Sequence, residues 1–197
     1  FMTGSNKIVV VDVADASVVL PAGTPAVSYW AWADTPQESR PADYRSYVYE
    51  YNADGSRMFR PSTSAALNAF FNPVPGNIGV ADGDIMVLED DMEISTPIVI
   101  KNNVTLDLGN HTLTGNDCRV FHVKSGILNL TGNGTVTSIK PPNGTLVDTS
   151  SVIRVGDNSE TKAAGLVIGK DVTIEAPDTY GVGAFGTNHG KTITVAG

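Results

Sequence analysis

Residues 82–115, DGDIMVLEDDMEISTPIVIKNNVTLDLGNHTLTG, carry the pattern that decides the fold. Within them, the segment VTLDLGNHTLTG at 104–115 has a near copy, GILNLTGNGTVTS, at 126–138. Leu113 and Val136 occupy the same place in the two copies. Short runs of alternating apolar and polar residues, separated by Gly and Asn, are typical of β-strands joined by tight bends. The stretch therefore predicts strands that recur at a nearly fixed interval.

A shorter strand recurs between the long ones. It is predicted at four places, 98–100, 121–123, 152–155 and 182–185. Among the long strands, Leu106 is predicted to correspond to Leu128, and Val172 to Ile193. A period in the low twenties built from short strands is typical of solenoid proteins. The sequence therefore predicts a parallel β-helix over residues 76–197 with about four rungs, a rung being one turn of the coil.

Alternation within the long strands assigns their faces. Leu106 and Leu108 are predicted to point into the coil, so Asp107 between them points outward. With the correspondences above, the outward positions of successive rungs form one column, Asp107, Asn129 and Thr173. Asp107 is the single carboxylate of that predicted column.

Two interruptions of the period are predicted to be loops, at 138–150 and 156–164. Insertions in a solenoid emerge on one side of the stack, and such loops often carry binding residues. If the β-helix has a ligand site, we expect these two loops to form it.

Composition restricts the classes of partner. The chain of 197 residues carries a net charge of −8 and has 20 glycines, with 17% of its residues charged, which is typical of a turn-rich all-β protein. An acidic surface repels nucleic acid and anionic membranes, so neither partner is expected. No apolar run approaches the roughly 20 residues of a membrane-spanning helix. One cysteine, Cys118, excludes an intrachain disulfide and a multi-cysteine zinc site, and we expect it to be an idle thiol. We expect no cofactor and no metal.

Residues 1–75 are predicted to form a separate, small β-domain that docks or caps. A hairpin is expected from a strand ending at Tyr51 and a returning strand at 57–60. Ser62 is predicted to cap a short helix over 63–71.

Aromatic residues are concentrated in this N-terminal part. Two interpretations are open for five of them, Trp30, Trp32, Tyr47, Tyr49 and Tyr51. Flat aromatic rings stack on sugars, which favours carbohydrate binding. The same residues suit a domain core or a subunit contact, and this second interpretation is the better supported of the two.

Three segments resemble a known family: DGDI at 82–85, PIVI at 97–100 and the long strands of 104–115. They are similar to the first rungs of the pectin-lyase-like right-handed β-helix superfamily, which includes polysaccharide lyases and hydrolases, phage tailspikes and head fibres, and bacterial surface adhesins. The resemblance covers about residues 82–197 and implies a right-handed coil. Because its motifs are rung-building residues, it indicates the fold and says little about function.

Enzymes of that superfamily need two or three carboxylates on adjacent rungs, or an acidic calcium cluster with a basic residue. Asp107 has no such partner in the predicted column. His111, His122 and His189 lie on different segments without metal-ligand spacing, and His122 is predicted to be a simple surface residue. We therefore expect no catalytic residues.

A strand is predicted near the end of the sequence. Its residues are Lys191, Thr192, Ile193, Thr194 and Val195. An uncovered β-helix end is a sheet edge that invites pairing with another chain. We expect that either further chain or another subunit covers this assembly edge.

These observations favour a non-enzymatic structural or adhesive component of an extracellular or virion-surface assembly, such as a fibre, spike or decoration protein. A homo-oligomer or larger assembly is expected, with a glycan as a further partner and without membrane insertion. Two alternatives stay open. One is a polysaccharide lyase or hydrolase completed by further rungs or between subunits, and the other is a carbohydrate-binding module.

Overall fold

A computed structural model describes residues 3–4, 7–8, 24–26, 47–51, 56–61, 63–72, 80–139, 151–186 and 190–196. For the first four of these ranges it describes the strand backbone alone. The described part is predominantly β, with parallel sheets and one short helix. That helix is too short to cross a membrane. The predicted all-β class is confirmed at this level.

Strands β1–β5 and helix α1 come first in the described part. Their bounds are β1 Thr3–Gly4, β2 Lys7–Ile8, β3 Thr24–Ala26, β4 Tyr47–Tyr51, β5 Arg57–Pro61 and α1 Ser64–Phe71.

The strands after α1 fall into groups of three, which we call repeats 1 to 4. Repeat 1 contains β6 Ile85–Val87, β7 Met92–Ile94 and β8 Ile98–Ile100, and repeat 2 contains β9 Val104–Asp107, β10 Thr112–Asn116 and β11 Phe121–Val123. Repeat 3 contains β12 Gly126–Thr131, β13 Thr135–Ile139 and β14 Ile153–Val155, and repeat 4 contains β15 Ala164–Ile168, β16 Thr173–Glu175 and β17 Val182–Ala184. Strand β18, Lys191–Val195, follows repeat 4.

Strands at the same place in successive repeats pair in parallel and form three stacked sheets. The first sheet has the order β18-β15-β12-β9-β6, continued by β5, β4 and β3. The second has the order β16-β13-β10-β7, and the third β17-β14-β11-β8. The chain visits the three sheets in the same order in every repeat, an arrangement compatible with a parallel β-helix.

The pairing of the second and third sheets confirms two predicted correspondences. Leu113 pairs with Val136, as the two sequence copies predict. In the third sheet the four predicted short strands lie side by side, with Phe121 between Ile98 and Ile153. Apolar residues therefore lie on apolar residues of the next repeat, and all of these are buried.

The pairing of the first sheet corrects one predicted correspondence. Leu106 pairs with Leu130 rather than with Leu128, and Leu128 pairs with Val104. The observed register thus differs from the predicted one by a single inward–outward pair of residues, the step from Leu128 to Leu130. Such a shift keeps every side chain on its own face, so alternation fits both registers equally well. Hydrogen bonds at the bends, such as Leu108 N donating to Thr131 O at 2.9 Å, hold the observed register.

The predicted outward column is also wrong, because the register differs for Asn129 and the sheet differs for Thr173. Asn129 pairs with Thr105, and Asp107 pairs with Thr131. Thr173 lies in the second sheet, opposite Thr135.

The predicted correspondence of Val172 with Ile193 is also wrong. Ile193 lies in the first sheet opposite Leu166, whereas Val172 immediately precedes a strand of the second sheet. Every strand of the stack carries a similar alternation, so likeness between two strands does not show that they share a sheet.

Helix α1 covers the repeat 1 end of the apolar interior. Leu67, Phe70 and Phe71 are buried, and α1 packs against β7, β8 and β5. The rings of Phe59 and Phe70 have centroids 3.9 Å apart. The helix therefore shields apolar side chains that an open end would expose to water.

The predicted helix is confirmed, with a different cap. The N-cap is Thr63, whose hydroxyl oxygen accepts a hydrogen bond from Ala66 N at 3.1 Å. Ser62, the predicted cap, lies outside the described residues.

The predicted hairpin is confirmed by the antiparallel pairing of β4 with β5. Strand β5 also pairs in parallel with β6, so the hairpin extends the first sheet. The proposed division between residues 1–75 and 76–197 stays a prediction.

A buried ion pair fastens β5 to the start of repeat 1. The Arg57 guanidinium donates to both carboxylate oxygens of Asp84, at 3.0 and 2.8 Å, and Ala81 N donates to the same carboxylate at 2.7 Å. The Asp84 side chain is 3% exposed. A second pair, Arg60 with Glu89, joins neighbouring positions but is largely exposed.

We predict that Asp84→Ala lowers the free energy of unfolding by about 3–5 kcal/mol, because it leaves the Arg57 charge in a poorly hydrated site. The matched control Glu89→Ala removes a carboxylate from the exposed pair and should cost about 0–1 kcal/mol. Urea unfolding followed by circular dichroism measures both values. Equal losses would contradict the assignment of the Asp84 pair as the fastening contact.

Candidate functional site

The predicted carbohydrate-binding aromatics are placed only in part. Trp30 and Trp32 lie outside the described residues. Tyr47, Tyr49 and Tyr51 occupy alternate positions of β4, for which the backbone alone is described. A role for these five residues in binding sugars stays a prediction.

Of the first predicted loop, 138–150, the structure describes only residues 138 and 139, which belong to strand β13 rather than to a loop. The second, 156–164, is described in full and is a loop except for Ala164, which begins β15. Residues 140–150 lie outside the described part. Residues 156–163, between β14 and β15, form a loop that contacts repeats 1, 2 and 4. We call residues 156–163 the strap.

His122 is the centre of the contacts beneath the strap. Its Nε2 lies 3.1 Å from Gly156 O and 3.2 Å from Asp157 Oδ2, and its side chain is only 14% exposed. Both oxygens accept hydrogen bonds, so Nε2 carries the hydrogen. Lys124 Nζ approaches Asp157 Oδ2 at 3.5 Å. The expectation that His122 is a simple surface residue is therefore wrong, because a loop from a later part of the chain covers its outward face.

Electrostatics set the charge states in this cluster. Burial lowers the pKa of His122, and the nearby Arg154 and Arg119 add to that shift. Hydrogen bonds from the Ser159 hydroxyl and N–H hold the pKa of Asp157 well below its ordinary value. Near neutral pH the cluster therefore contains a neutral imidazole beside a carboxylate.

The arrangement does not match a hydrolase triad. The Ser159 hydroxyl donates to Asp157 Oδ1 at 2.5 Å, and the other carboxylate oxygen faces His122. A triad needs the imidazole between the hydroxyl and the carboxylate so that it can accept the hydroxyl proton. Here the carboxylate lies between the other two groups, which suits fastening the strap.

Two further contacts fasten the strap. Lys101 of repeat 1 forms an ion pair with Glu160 at 3.4 Å. On the other side, Gly186 packs against the backbone of Asp157 so closely that a Cβ there would lie 2.5 Å from a backbone atom. The sequence analysis did not identify Asp157 or Lys124. The one sequence feature that pointed to Asp157 was its place in the insertion predicted as the second loop.

We predict that the His122 contact makes stability depend on pH. Because the folded pKa of His122 lies below the unfolded value of about 6.5, the unfolded chain takes up the proton first as the pH falls. The contribution of His122 to the free energy of unfolding is thus present above about pH 6.5 and is lost below it. His122→Gln keeps a donor for Gly156 O and does not titrate, so it should lose less stability between about pH 7.5 and about pH 5. Urea unfolding of both proteins at the two pH values tests this, and equal losses would contradict it.

Few chemical groups cluster elsewhere in the described part. Among its residues, no three His, Cys, Asp or Glu side chains converge as metal ligands would. His111 Nδ1 lies 3.7 Å from an Asp91 carboxylate oxygen at a bend, and that same oxygen accepts a hydrogen bond from Thr112 N at 2.8 Å. His189 lies outside the described residues.

Cys118 lies inside the stack. It is buried, and its Sγ lies 3.5 Å from Ile94 O in the previous repeat. Burial, with a smaller effect from Asp117, raises the pKa of the Cys118 thiol to about 11. The thiolate, which is the reactive form, is therefore scarce in the folded protein.

We predict that iodoacetamide modifies Cys118 about a hundredfold more slowly in the folded protein than in urea at about pH 8, because the raised pKa lowers the thiolate fraction by roughly that factor. Mass spectrometry over time gives both rates. Similar rates in the two states would show that the thiol is accessible and ionised.

The other end of the stack exposes inward-facing residues. Leu166 and Ile168 in β15 are 0% and 6% exposed, whereas their partners Ile193 and Val195 in β18 are 43% and 68% exposed. Within the described ranges, β16, β17 and β18 each pair on one side only. The strand predicted as an assembly edge, Lys191–Val195, is thus the last described strand of the first sheet.

A shallow cleft of about 290 Å³ separates helix α1 from the turn between β7 and β8. It is lined by Ser64, Ala65, Asn68, Glu93, Ile94, Ser95 and Thr96. The sequence analysis missed these residues because they come from two separate segments of the chain and share no motif.

Comparison with family models, curated proteins and solved structures finds no match to this chain. The resemblance to the pectin-lyase-like superfamily therefore rests on the quoted sequence segments alone, while the three parallel sheets are compatible with a β-helix. Because one fold serves many functions, function is argued from the surfaces described above.

Proposed function

We propose that the chain is a right-handed parallel β-helix of the pectin-lyase-like type, preceded by a capping hairpin and helix. It serves as a non-enzymatic structural or adhesive component of an extracellular or virion-surface assembly. Three parallel sheets visited in constant order support the β-helix. The right-handed sense follows from the strong preference of parallel crossover connections for that hand.

The observation that carries the assembly role is the exposed inward column of β18. Ile193 and Val195 point along the same column as Leu166 and Ile168, yet large parts of both side chains face water. Burying apolar area stabilises by about 25 cal/mol per Å², so a protein surface on these residues is favourable. Either further rungs of the same polypeptide or a neighbouring subunit can supply that surface, and our proposal assigns it to a neighbouring subunit.

The backbone of the same end supports subunit contact. Edge strands present unpaired N–H and C=O groups, and these groups template pairing with another chain. Lys191 does not protect this edge by projecting into solvent, because its Nζ donates to Gly186 O at 2.7 Å. The edge therefore combines open hydrogen-bonding groups with apolar side chains.

The polar clusters of the described part support a structural role. Asp84 is engaged by Arg57 and a backbone N–H, and Asp157 is engaged by Ser159, His122 and Lys124. Each of these groups joins one repeat or strand to another. The ionisable side chains thus stabilise the stack and its strap.

We predict that the double variant Ile193→Lys, Val195→Lys converts the assembled protein to monomers, because it places two charges on the contact surface. The matched control Thr194→Lys adds a charge to the outward face of the same strand and should leave assembly intact. Light scattering after size exclusion, with negative-stain electron microscopy, measures the assembly state. A monomeric wild-type protein at high concentration, or equal loss in the control, would overturn the proposal.

A further inference from the structure

We propose that the cleft between α1 and the β7–β8 turn binds a single neutral saccharide unit. This inference rests on the adhesive side of the proposed function and gives it a ligand class. It concerns a surface at the opposite end of the stack from β18, and it uses none of the N-terminal aromatics.

The cleft is held by two rigid elements. Ser64, Ala65 and Asn68 lie on one face of α1, whose other face is anchored by buried Leu67 and Phe70. The opposite wall is β7 and the turn after it, where Ile94 is buried in the core. Sites on such elements hold their side chains more firmly than sites on loops.

Polar groups of complementary type converge on the cleft. Asn68 Oδ1 accepts from Asn72 Nδ2 at 2.8 Å, which leaves the Asn68 amide N–H groups for a ligand. Glu93 Oε1 accepts from Asn116 Nδ2 at 2.7 Å, which leaves Oε2 as an acceptor. The hydroxyls of three more lining residues, Ser64, Ser95 and Thr96, each can donate and accept.

This set matches a pyranose ring. Sugar hydroxyls donate and accept in turn, and a carboxylate with an amide can engage two neighbouring hydroxyls. Ala65 contributes a small apolar surface for the C–H face of the ring. The volume of about 290 Å³ suits one ring and leaves little space for a second.

Electrostatics at the cleft favour an uncharged ligand. The Glu93 carboxylate and the net charge of −8 oppose an anionic sugar. For a cationic sugar, the positive N-terminal end of α1, where Ser64 lies, offsets part of the attraction of Glu93, and binding would also require the ammonium group to lose hydration. A neutral hexose is neither repelled by Glu93 nor required to desolvate a charge.

The test titrates the whole chain with three methyl hexopyranosides, those of glucose, galactose and mannose, and follows binding by saturation-transfer NMR and calorimetry. Galacturonic acid and glucosamine are the charged comparisons. We expect at least one neutral glycoside to bind with a Kd on the order of 1 mM, and the charged sugars to bind more weakly.

Variants locate the site. Glu93→Gln and Ser95→Ala should each weaken binding about tenfold or abolish it, because the first replaces a charged hydrogen bond by a neutral one and the second removes a hydroxyl partner. Glu175→Gln is the matched control. Glu175 lies opposite Thr137 in the sheet that also contains Glu93, so the substitution removes the same charge far from the cleft. Unchanged thermal unfolding shows that each variant is folded.

Three outcomes would overturn the inference: no neutral glycoside binds, Glu93→Gln and Ser95→Ala leave binding unchanged, or a charged sugar binds best. Assembly through β18 is measured separately, so loss of sugar binding with intact assembly rejects the cleft and not the proposed function.

Discussion

The structure depends on one constraint, that an inward side chain of one repeat must lie on an inward side chain of the next. Parallel pairing imposes it, since each backbone hydrogen bond between repeats fixes which residues stack. Phe121 between Ile98 and Ile153 illustrates the result, with all three side chains buried. Outward positions are released from this constraint, so they can hold polar groups such as His122 and Arg154, which lie opposite each other in register. The contacts of the strap and the polar lining of the cleft both use side chains that do not point into the stack.

Alternation in the sequence predicts the faces of the strands and several of their correspondences, but it cannot fix every register. Leu106 stacks on Leu130, although a shift by one alternation to Leu128 would keep both leucines inward. Backbone geometry at the bends decides between the two. Gly126 has a φ of +73°, and a Cβ there would lie 2.5 Å from the backbone of Asn102 in the previous repeat. A bend of this geometry contains a set number of residues, and that number fixes the register of the next strand. The alternation of residue types along the strands does not reveal it.

Contacts distant in sequence explain what else could not be predicted. Arg57 meets Asp84 across 27 residues, and His122 meets Gly156 across 34. His122 alternates outward as predicted, and only the position of the strap buries it. The cleft combines α1 with the β7–β8 turn, and its polar residues are ordinary surface types until the helix packs against repeat 1. Helix, hairpin and strands follow from local patterns, whereas the environment of each polar side chain follows from packing.

The two ends of the stack differ in a way that limits how copies can meet. At the repeat 1 end, Leu67 and Phe70 of α1 already cover the apolar interior, and β5 already pairs with β6. At the other end, Ile193 and Val195 are exposed. At the repeat 1 end, β7 and β8 are the edges of the second and third sheets in the described part, but α1 packs against both. If the partner at β18 is a second copy, contact between two β18 ends is therefore the arrangement that meets no covering helix. A contact between like ends is two-fold symmetric and closes at two copies. A long fibre would then need a second contact surface, and the outward faces of the three sheets could provide one.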